Sequence, residues 1–170
     1  MLIISPLDST HDRIGFDCGV TALNDFLQKT ARQHREKGLS NTFVLQEEGV
    51  SGNILGYFTL SFLEVDASTL PVESSRKLPK ASPLPAAKLA RLAVDGRCQG
   101  KGYGALLLAD AIKRIVRTSS DSGGIVGFFV DAKDEQAKRF YIRFGFIPLQ
   151  DAPRNLFLPL QTMLSGLSAV

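Results

Sequence analysis

Apolar positions along this chain alternate between strand-like runs and helical spacing. Leu2–Ile4 is a short apolar run stopped by Ser5-Pro6. From Val20 to His34, residues Leu23, Phe26, Leu27 and Ala31 recur at helical spacing behind the turn Asp17-Cys18-Gly19, and Lys37-Gly38-Leu39-Ser40 ends the helix. Asn41–Gln46 is rich in β-branched and aromatic residues and predicts a strand. The turn-rich link Glu47–Asn53 joins it to a second strand, Ile54–Val65, as a hairpin. Residues 66–87 carry Pro71, Pro79, Pro83 and Pro85, which predicts a long loop or flap with no regular helix or central strand.

Lys88–Val94 then reads as a strand, followed by a glycine-spaced turn and a helix that starts near Tyr103 and carries the apolar run Ala105–Val116. Leu106, Leu107, Leu108, Ile112 and Ile115 are its candidates for the core and for a dimer contact. Thr118–Gly124 predicts a loop. Ile125–Asp131 is almost wholly apolar, as expected of a strand buried on both faces. Asp134–Phe144 predicts a helix with the stripe Ala137, Phe140, Tyr141 and Phe144, capped by Gly145. Phe146–Pro148 and Asn155–Leu160 predict short strands, and the tail from Gln161 has no clear pattern. The order β, α, β, β, loop, β, α, β, α, β, β predicts a single mixed α/β (α+β) domain over residues 1–170, with helices on the faces of its sheet.

Composition narrows the class. The chain has 170 residues, of which 44% are hydrophobic and 22% charged, enough to bury a core without disulfides or metals. Its two cysteines, Cys18 and Cys98, lack CxxC spacing, which argues against a zinc site or disulfide scaffold and fits a reducing cytoplasm. No leader-like or membrane-length apolar segment is evident. Charge is uneven. Arg76, Lys77, Lys80, Lys88, Arg91, Arg97 and Lys101 face Asp95 alone within one stretch, exceeding the net +3 of the whole chain and leaving the remainder net acidic. A second cluster, Lys29, Arg32, Arg35 and Lys37, is opposed by Glu36. Single clusters are usually solvated faces, but two of them suggest a polyanionic ligand.

The most chemically specific stretch is Arg97-Cys98-Gln99-Gly100-Lys101-Gly102-Tyr103-Gly104. Alternate glycines permit a tight turn whose successive N–H groups converge as a nest, and the following helix adds its positive dipole end. The spacing is neither that of a Walker A loop nor the GxGxxG of a Rossmann unit. Flanking Arg97, Gln99 and Lys101 favour a phosphate cradle over a plain strand-to-helix turn.

Arg97-x-x-Gly100-x-Gly102, between its strand and helix, resembles the acyl-CoA pyrophosphate motif of the GNAT superfamily of N-acetyltransferases. Val130-Asp131-Ala132 through Ala137-x-x-Phe140-Tyr141-x-x-x-Gly145-Phe146 is similar to that superfamily's second block. More narrowly, Phe16-Asp-Cys-Gly19, Leu23-Asn24, Phe26-Leu27, Gly56–Ser61 and Arg91–Val94 resemble the GNAT toxins of bacterial type II toxin–antitoxin pairs.

This resemblance implies a mixed sheet of six to seven strands, splayed between strands 4 (Lys88–Val94) and 5 (Ile125–Asp131) and flanked by about four helices. It implies acetyl-CoA as cosubstrate, with Leu92, Ala93, Val94, Arg97, Cys98, Gln99, Gly100, Lys101, Gly102, Tyr103, Gly104, Asp131, Ala137 and Phe140 as its binding residues and no metal. It also implies direct acetyl transfer to the α-amine of an aminoacyl-tRNA, a ribbon-helix-helix antitoxin and a homodimer. Tyr141 falls where such enzymes keep a tyrosine that protonates the departing thiolate. A phenol near pKa 10 suits a thiol near 8.5, although periodicity alone makes Tyr141 a core residue. The N–H of Val94 or its neighbour is the expected donor to the thioester carbonyl.

No general base stands out among Glu64, Asp66 and Asp131, all at strand ends. An α-amine, with pKa about 7.7–8.0, needs less help from a base than a lysine amine near 10.4. Lys29, Arg32, Arg35, Arg76, Lys77, Lys80 and Arg91 are the candidates to meet RNA phosphates. His11 and His34 read as surface residues, Cys98 as exposed but without a catalytic partner, and Cys18 as packed at the first helix. The competing expectations are acetylation of a small-molecule amine or protein N-terminus, and a CoA-binding module without turnover.

Overall fold

The computed structural model describes residues 1–50, 52–79 and 83–168. Lys80 therefore lies outside the described residues. The strands are β1 (Leu2–Pro6), β2 (Asn41–Glu47), β3 (Gly56–Val65), β4 (Leu84–Val94), β5 (Gly127–Asp131), β6 (Ile147–Pro148) and β7 (Asn155–Pro159). The helices are α1 (Thr21–Asp25), α2 (Ala31–Glu36), α3 (Val72–Ser75), α4 (Tyr103–Ser122), α5 (Glu135–Arg143) and α6 (Leu160–Ser168). The sheet has seven strands in the order β1-β2-β3-β4-β5-β7-β6. It is mixed: β1–β2, β2–β3, β5–β7 and β6–β7 pair antiparallel, whereas β4 and β5 pair parallel. The parallel register matches Ala87–Leu89 with Phe128–Val130, and β4 runs on to Val94 beyond the last pair.

The chain packs as two compact units, Met1–Ser61 with Ala90–Ala111, and Phe62–Leu89 with Ile112–Val170. The core of the first joins Phe16, Phe26, Leu27, Ala31, Val44, Tyr57 and Ala93. The core of the second joins Leu70, Leu84, Ala86, Phe129 and Phe157. Gly127, Phe128, Phe129 and Val130 of β5 are all buried, as the apolar run predicts.

Several boundaries differ from the sequence expectation. The first helix is not continuous, because Phe26–Thr30 forms a π-turn in which the N–H of Ala31 donates to the carbonyl of Phe26. The proline-rich stretch holds a 3-10 turn at Ala67–Thr69 and the short helix α3, and β4 begins at Leu84 and includes Pro85. Pro85 is tolerated because the ladder to β5 starts two residues later, at Ala87, while its carbonyl accepts the N–H of Val126 at 3.0 Å. α4 extends through Ser122 until Gly123, at φ +69°, sends its N–H to Ser119. The unassigned tail supplies α6. On α4, Leu107, Leu108 and Ile115 are fully buried, whereas Leu106 is 40% exposed.

Candidate active site

In the first unit, the turn between β4 and α4 has the conformation its glycines permit. Gly100 and Gly102 take φ values of +80° and +82°, the left-handed region, while Gly104 is helical. A Cβ at either turn glycine would meet nothing within 4 Å, so backbone conformation and not space selects glycine there. α4 begins at Tyr103, and the N–H of Leu106 donates to the Gly102 carbonyl at 3.1 Å. Among the described residues, the N–H groups of Gly100, Lys101 and Gly102 have no protein acceptor. They form an exposed row of donors at a helix N-terminus, an arrangement suited to an anion.

The turn is braced from behind by a buried carboxylate. Asp95, 1% exposed, accepts from the N–H of Arg97 at 3.0 Å and from that of Asp17 at 3.2 Å. It also takes the Arg97 guanidinium at both oxygens, Nε at 2.8 Å and Nη2 at 3.1 Å. Burial alone would push the Asp95 carboxyl up, but these donors outweigh it and hold the group below the usual carboxylate range. Asp95 in turn keeps the exposed Arg97 guanidinium firmly protonated through its hydrogen bonds. Asp17 accepts from the Gly19 N–H and the Asn24 amide, which lower its own pKa. The signal in the sequence was the Asp95-Gly96-Arg97 order, which suits an Asx turn.

Gln99 is likewise committed, its Nε2 donating to the carbonyls of Cys18 at 3.3 Å and Val94 at 3.1 Å. Arg97 and Gln99 thus hold the loop's shape, while Lys101 is exposed beside the N–H row. Cys98 is 9% exposed and Cys18 8%, so Cys98 is not the exposed thiol expected. On β4, Ala93 is buried while Leu92 and Val94 are half-buried. The expected cradle residues Leu92–Val94 and Arg97–Gly104 therefore belong to one continuous strand, turn and helix.

The same unit holds four of the predicted RNA-facing cations, with different commitments. Lys29 pairs with Asp25 at 3.4 Å, and Arg35 donates through Nη1 to the Leu7 carbonyl at 2.7 Å. Arg32 is half-buried. Arg91 lies over the Phe26 ring, 3.6 Å from its centroid. Of the two histidines expected at the surface, His11 is buried, 7% exposed with Nδ1 accepting the Asp8 N–H, whereas His34 is partly exposed and edge-on to Phe26.

In the second unit, Tyr141 lies on α5, which Asp134 caps by accepting the Ala137 N–H at 2.8 Å. Tyr141 is 7% exposed, with the rings of Phe140 and Phe146 edge-on at 5.2 and 5.4 Å. Burial pushes its phenol well above the ordinary value, so the hydroxyl stays protonated. Its hydroxyl has no protein partner among the described residues. Ala137 and Phe140 are half-buried on the same helix. Asp131 pairs with Lys88 at 2.9 Å, Asp66 caps a turn through Ser68, and Glu64 is exposed. Arg76 and Lys77 are exposed, and Lys77 lines a cleft with Glu73, Phe157 and Leu160. Among the described residues, no cluster of His, Cys, Asp and Glu is placed to hold a metal ion.

Residues 17–164 match the family model of the GNAT acetyltransferase domain, and the chain belongs to that family. It is an acetyltransferase. The probable toxin TacT of Sinorhizobium fredii is 31% identical over 170 residues, spanning 96% of this chain and 93% of its own length. The tRNA-acetylating toxin of Mycobacterium tuberculosis is 34% identical over 152 residues, spanning 89% and 88%. The structure of AtaT complexed with acetyl-methionyl-tRNAfMet superposes with a TM-score of 0.88 at 36% identity, covering 98% of this chain and 99% of that one. Other solved forms of AtaT hold acetyl-CoA or the C-terminus of the antitoxin AtaR.

Proposed function

We propose that this protein is a toxin that moves the acetyl group of acetyl-CoA onto the α-amine of an aminoacyl-tRNA, blocking translation by direct transfer in a ternary complex. The observation that carries the reading is the turn after β4, where Gly100 and Gly102 at positive φ leave a row of N–H donors facing outward at the start of α4. That row fits a pyrophosphate, and Lys101 adds a charge beside it. Acetyl-CoA supplies an activated acetyl thioester there. The N–H of Val94 or its neighbour donates to the thioester carbonyl, where negative charge develops. Leu92 and Ala93 on β4, Asp131 on β5, and Ala137 and Phe140 on α5 are the further residues proposed to bind acetyl-CoA.

Tyr141 is the general acid. Its phenol is protonated at neutral pH, and its hydroxyl, without a protein partner among the described residues, carries the proton that a leaving thiolate takes up. A carboxylate base is unnecessary for an α-amine that is already partly deprotonated at neutral pH. Asp131 and Asp66 are already engaged in an ion pair and a turn cap, which agrees with that economy. Lys29, Arg32, Arg35, Arg76, Lys77 and Arg91 are the residues to meet tRNA phosphates. The likeness to AtaT supports an antitoxin as partner. A homodimer, a single domain over the chain and a cytoplasmic setting complete the reading; among the described residues no helix is long and apolar enough to cross a membrane.

The test is to incubate the protein with labelled acetyl-CoA and three acceptors in parallel: charged tRNA, uncharged tRNA and a mixture of free amino acids and peptides. Label confined to charged tRNA is expected. Label on the free amines alone moves the protein to small-molecule or peptide acetylation, and thioester consumption with no acceptor labelled contradicts the reading.

A further inference from the structure

The first helical segment is interrupted by one wide turn, and the residue that opens it is Phe26. A π-turn inserts a residue into the helical ladder at a cost in hydrogen-bond geometry and is frequently associated with function. Here it places Phe26 at 5% exposure against three neighbours. The Tyr57 ring stacks with it at 6.5 Å, His34 meets it edge-on at 5.4 Å, and the Arg91 guanidinium lies over its face at 3.6 Å. Tyr57 is itself fixed, fully buried and donating its hydroxyl to the Leu23 carbonyl at 2.7 Å. The platform under Arg91 is therefore rigid on its buried side.

Arg91 differs from three other basic residues of its unit. Lys29 and Arg35 have protein partners, and Arg97 is held by Asp95. Among the described residues, no carboxylate pairs with Arg91. A guanidinium stacked by its face keeps its in-plane N–H groups pointing outward, the geometry that grips a phosphate with two parallel hydrogen bonds. Stacking also removes in advance much of the rotamer freedom that a solvated arginine gives up on binding.

Position along β4 indicates which phosphate. Arg91 precedes Val94 by three residues, about 10 Å at ordinary strand rise. An acceptor amine at the thioester beside Val94 extends across its ester and one ribose to reach the first phosphate on that scale. We infer that Phe26 is a positioning residue that pre-orients Arg91 to grip the phosphate of the terminal nucleotide. The enzyme thereby selects aminoacyl esters carried on a nucleotide chain over free amino acids and aminoacyl-nucleosides. This rests on the aminoacyl-tRNA reading above and adds to it a phosphate requirement with a structural origin.

The experiment measures KM and kcat for charged tRNA, for aminoacyl-adenosine without a phosphate, and for acetyl-CoA. It compares the wild type with Arg91→Gln, Phe26→Leu and the double variant. Arg91→Gln changes a half-exposed side chain, so it tests the phosphate contact even if Phe26→Leu proves too unstable to purify. The expected result is a rise of about tenfold in KM for charged tRNA in Arg91→Gln, with the KM for acetyl-CoA and for aminoacyl-adenosine unmoved. The salt dependence of tRNA binding should fall by about one phosphate's share, a change in logarithmic slope of about 0.7–0.9. Phe26→Leu should raise the same KM and add almost nothing in the Arg91→Gln background.

Equal losses on charged tRNA and aminoacyl-adenosine, a shift in the acetyl-CoA KM, or additive effects in the double variant would each overturn the inference. If the wild type acetylates charged tRNA while these signatures are missing, only the phosphate clamp fails. If the wild type acetylates no charged tRNA, the reading beneath it fails as well.

Discussion

Asp95 and Arg97, two residues apart, are joined by a two-pronged hydrogen bond, Oδ1 to Nε at 2.8 Å and Oδ2 to Nη2 at 3.1 Å. The carboxylate is buried and the guanidinium is 68% exposed, so the pair contributes more as a brace for the loop than as surface charge. Replacing Asp95 by Asn keeps the shape but removes the charge that accepts from Arg97 and from two backbone N–H groups. Asp95→Asn should destabilise the fold by about 1–3 kcal/mol and weaken acetyl-CoA binding while Tyr141 is untouched. Thermal melting and equilibrium binding of CoA check both halves.

The same carboxylate sets a limit at low pH. Its folded pKa lies below the unbound value of 3.8, so it contributes stability above that value which is lost as pH falls through the folded pKa. Asp17, lowered by the Gly19 N–H and the Asn24 amide, acts in the same direction. Stability should therefore decline below about pH 4. Melting temperatures measured from neutral to acid pH should show this decline, and it should be shallower in Asp95→Asn.

Alanine at Gly102 tests the cradle separately from its brace. The added Cβ has open space but the residue must hold φ +82°, so the penalty is conformational, about 1–2 kcal/mol for an L-residue in the left-handed region. Relief of that strain rotates the Gly102 N–H away from the row. Gly102→Ala should lower CoA affinity by about tenfold or more with little change in secondary structure, as calorimetry and circular dichroism would report. Gly104→Ala, at a helical position, should be far milder.

Local pattern was a good guide where one short-range rule governed the outcome. The glycine turn, the buried strand β5 and the Tyr141 helix all follow from periodicity and turn chemistry within a few residues. The departures lie where distant contacts decide. Phe26 reads as an ordinary member of a helical stripe, and nothing nearby in sequence announces a π-turn or the approach of Arg91 from β4. Arg97 and Gln99 fit an anion site by type and place, and in the structure they also brace the loop, Arg97 through Asp95 and Gln99 through the carbonyls of Cys18 and Val94. Pro85 reads as a strand breaker but precedes the first rung of the β5 ladder, so its missing N–H removes no rung to β5. His11 looks like a loop histidine, and its burial is set by packing that no local pattern carries.

The central claim, that this chain acetylates the α-amine of charged tRNA with Tyr141 as the acid, is tested most directly by one comparison. Wild type and Tyr141→Phe are each incubated with acetyl-CoA and a charged tRNA pool, the tRNA is digested with nuclease, and the released aminoacyl-adenosines are weighed by mass spectrometry. The phenyl ring keeps the packing against Phe140 and Phe146, so the variant should retain its melting temperature and its affinity for acetyl-CoA. The account predicts aminoacyl-adenosine heavier by one acetyl group with the wild type, and a rate lower by about 10²–10⁴-fold with Tyr141→Phe. Unmodified aminoacyl-adenosine with the wild type, or equal rates for the two proteins, would contradict it.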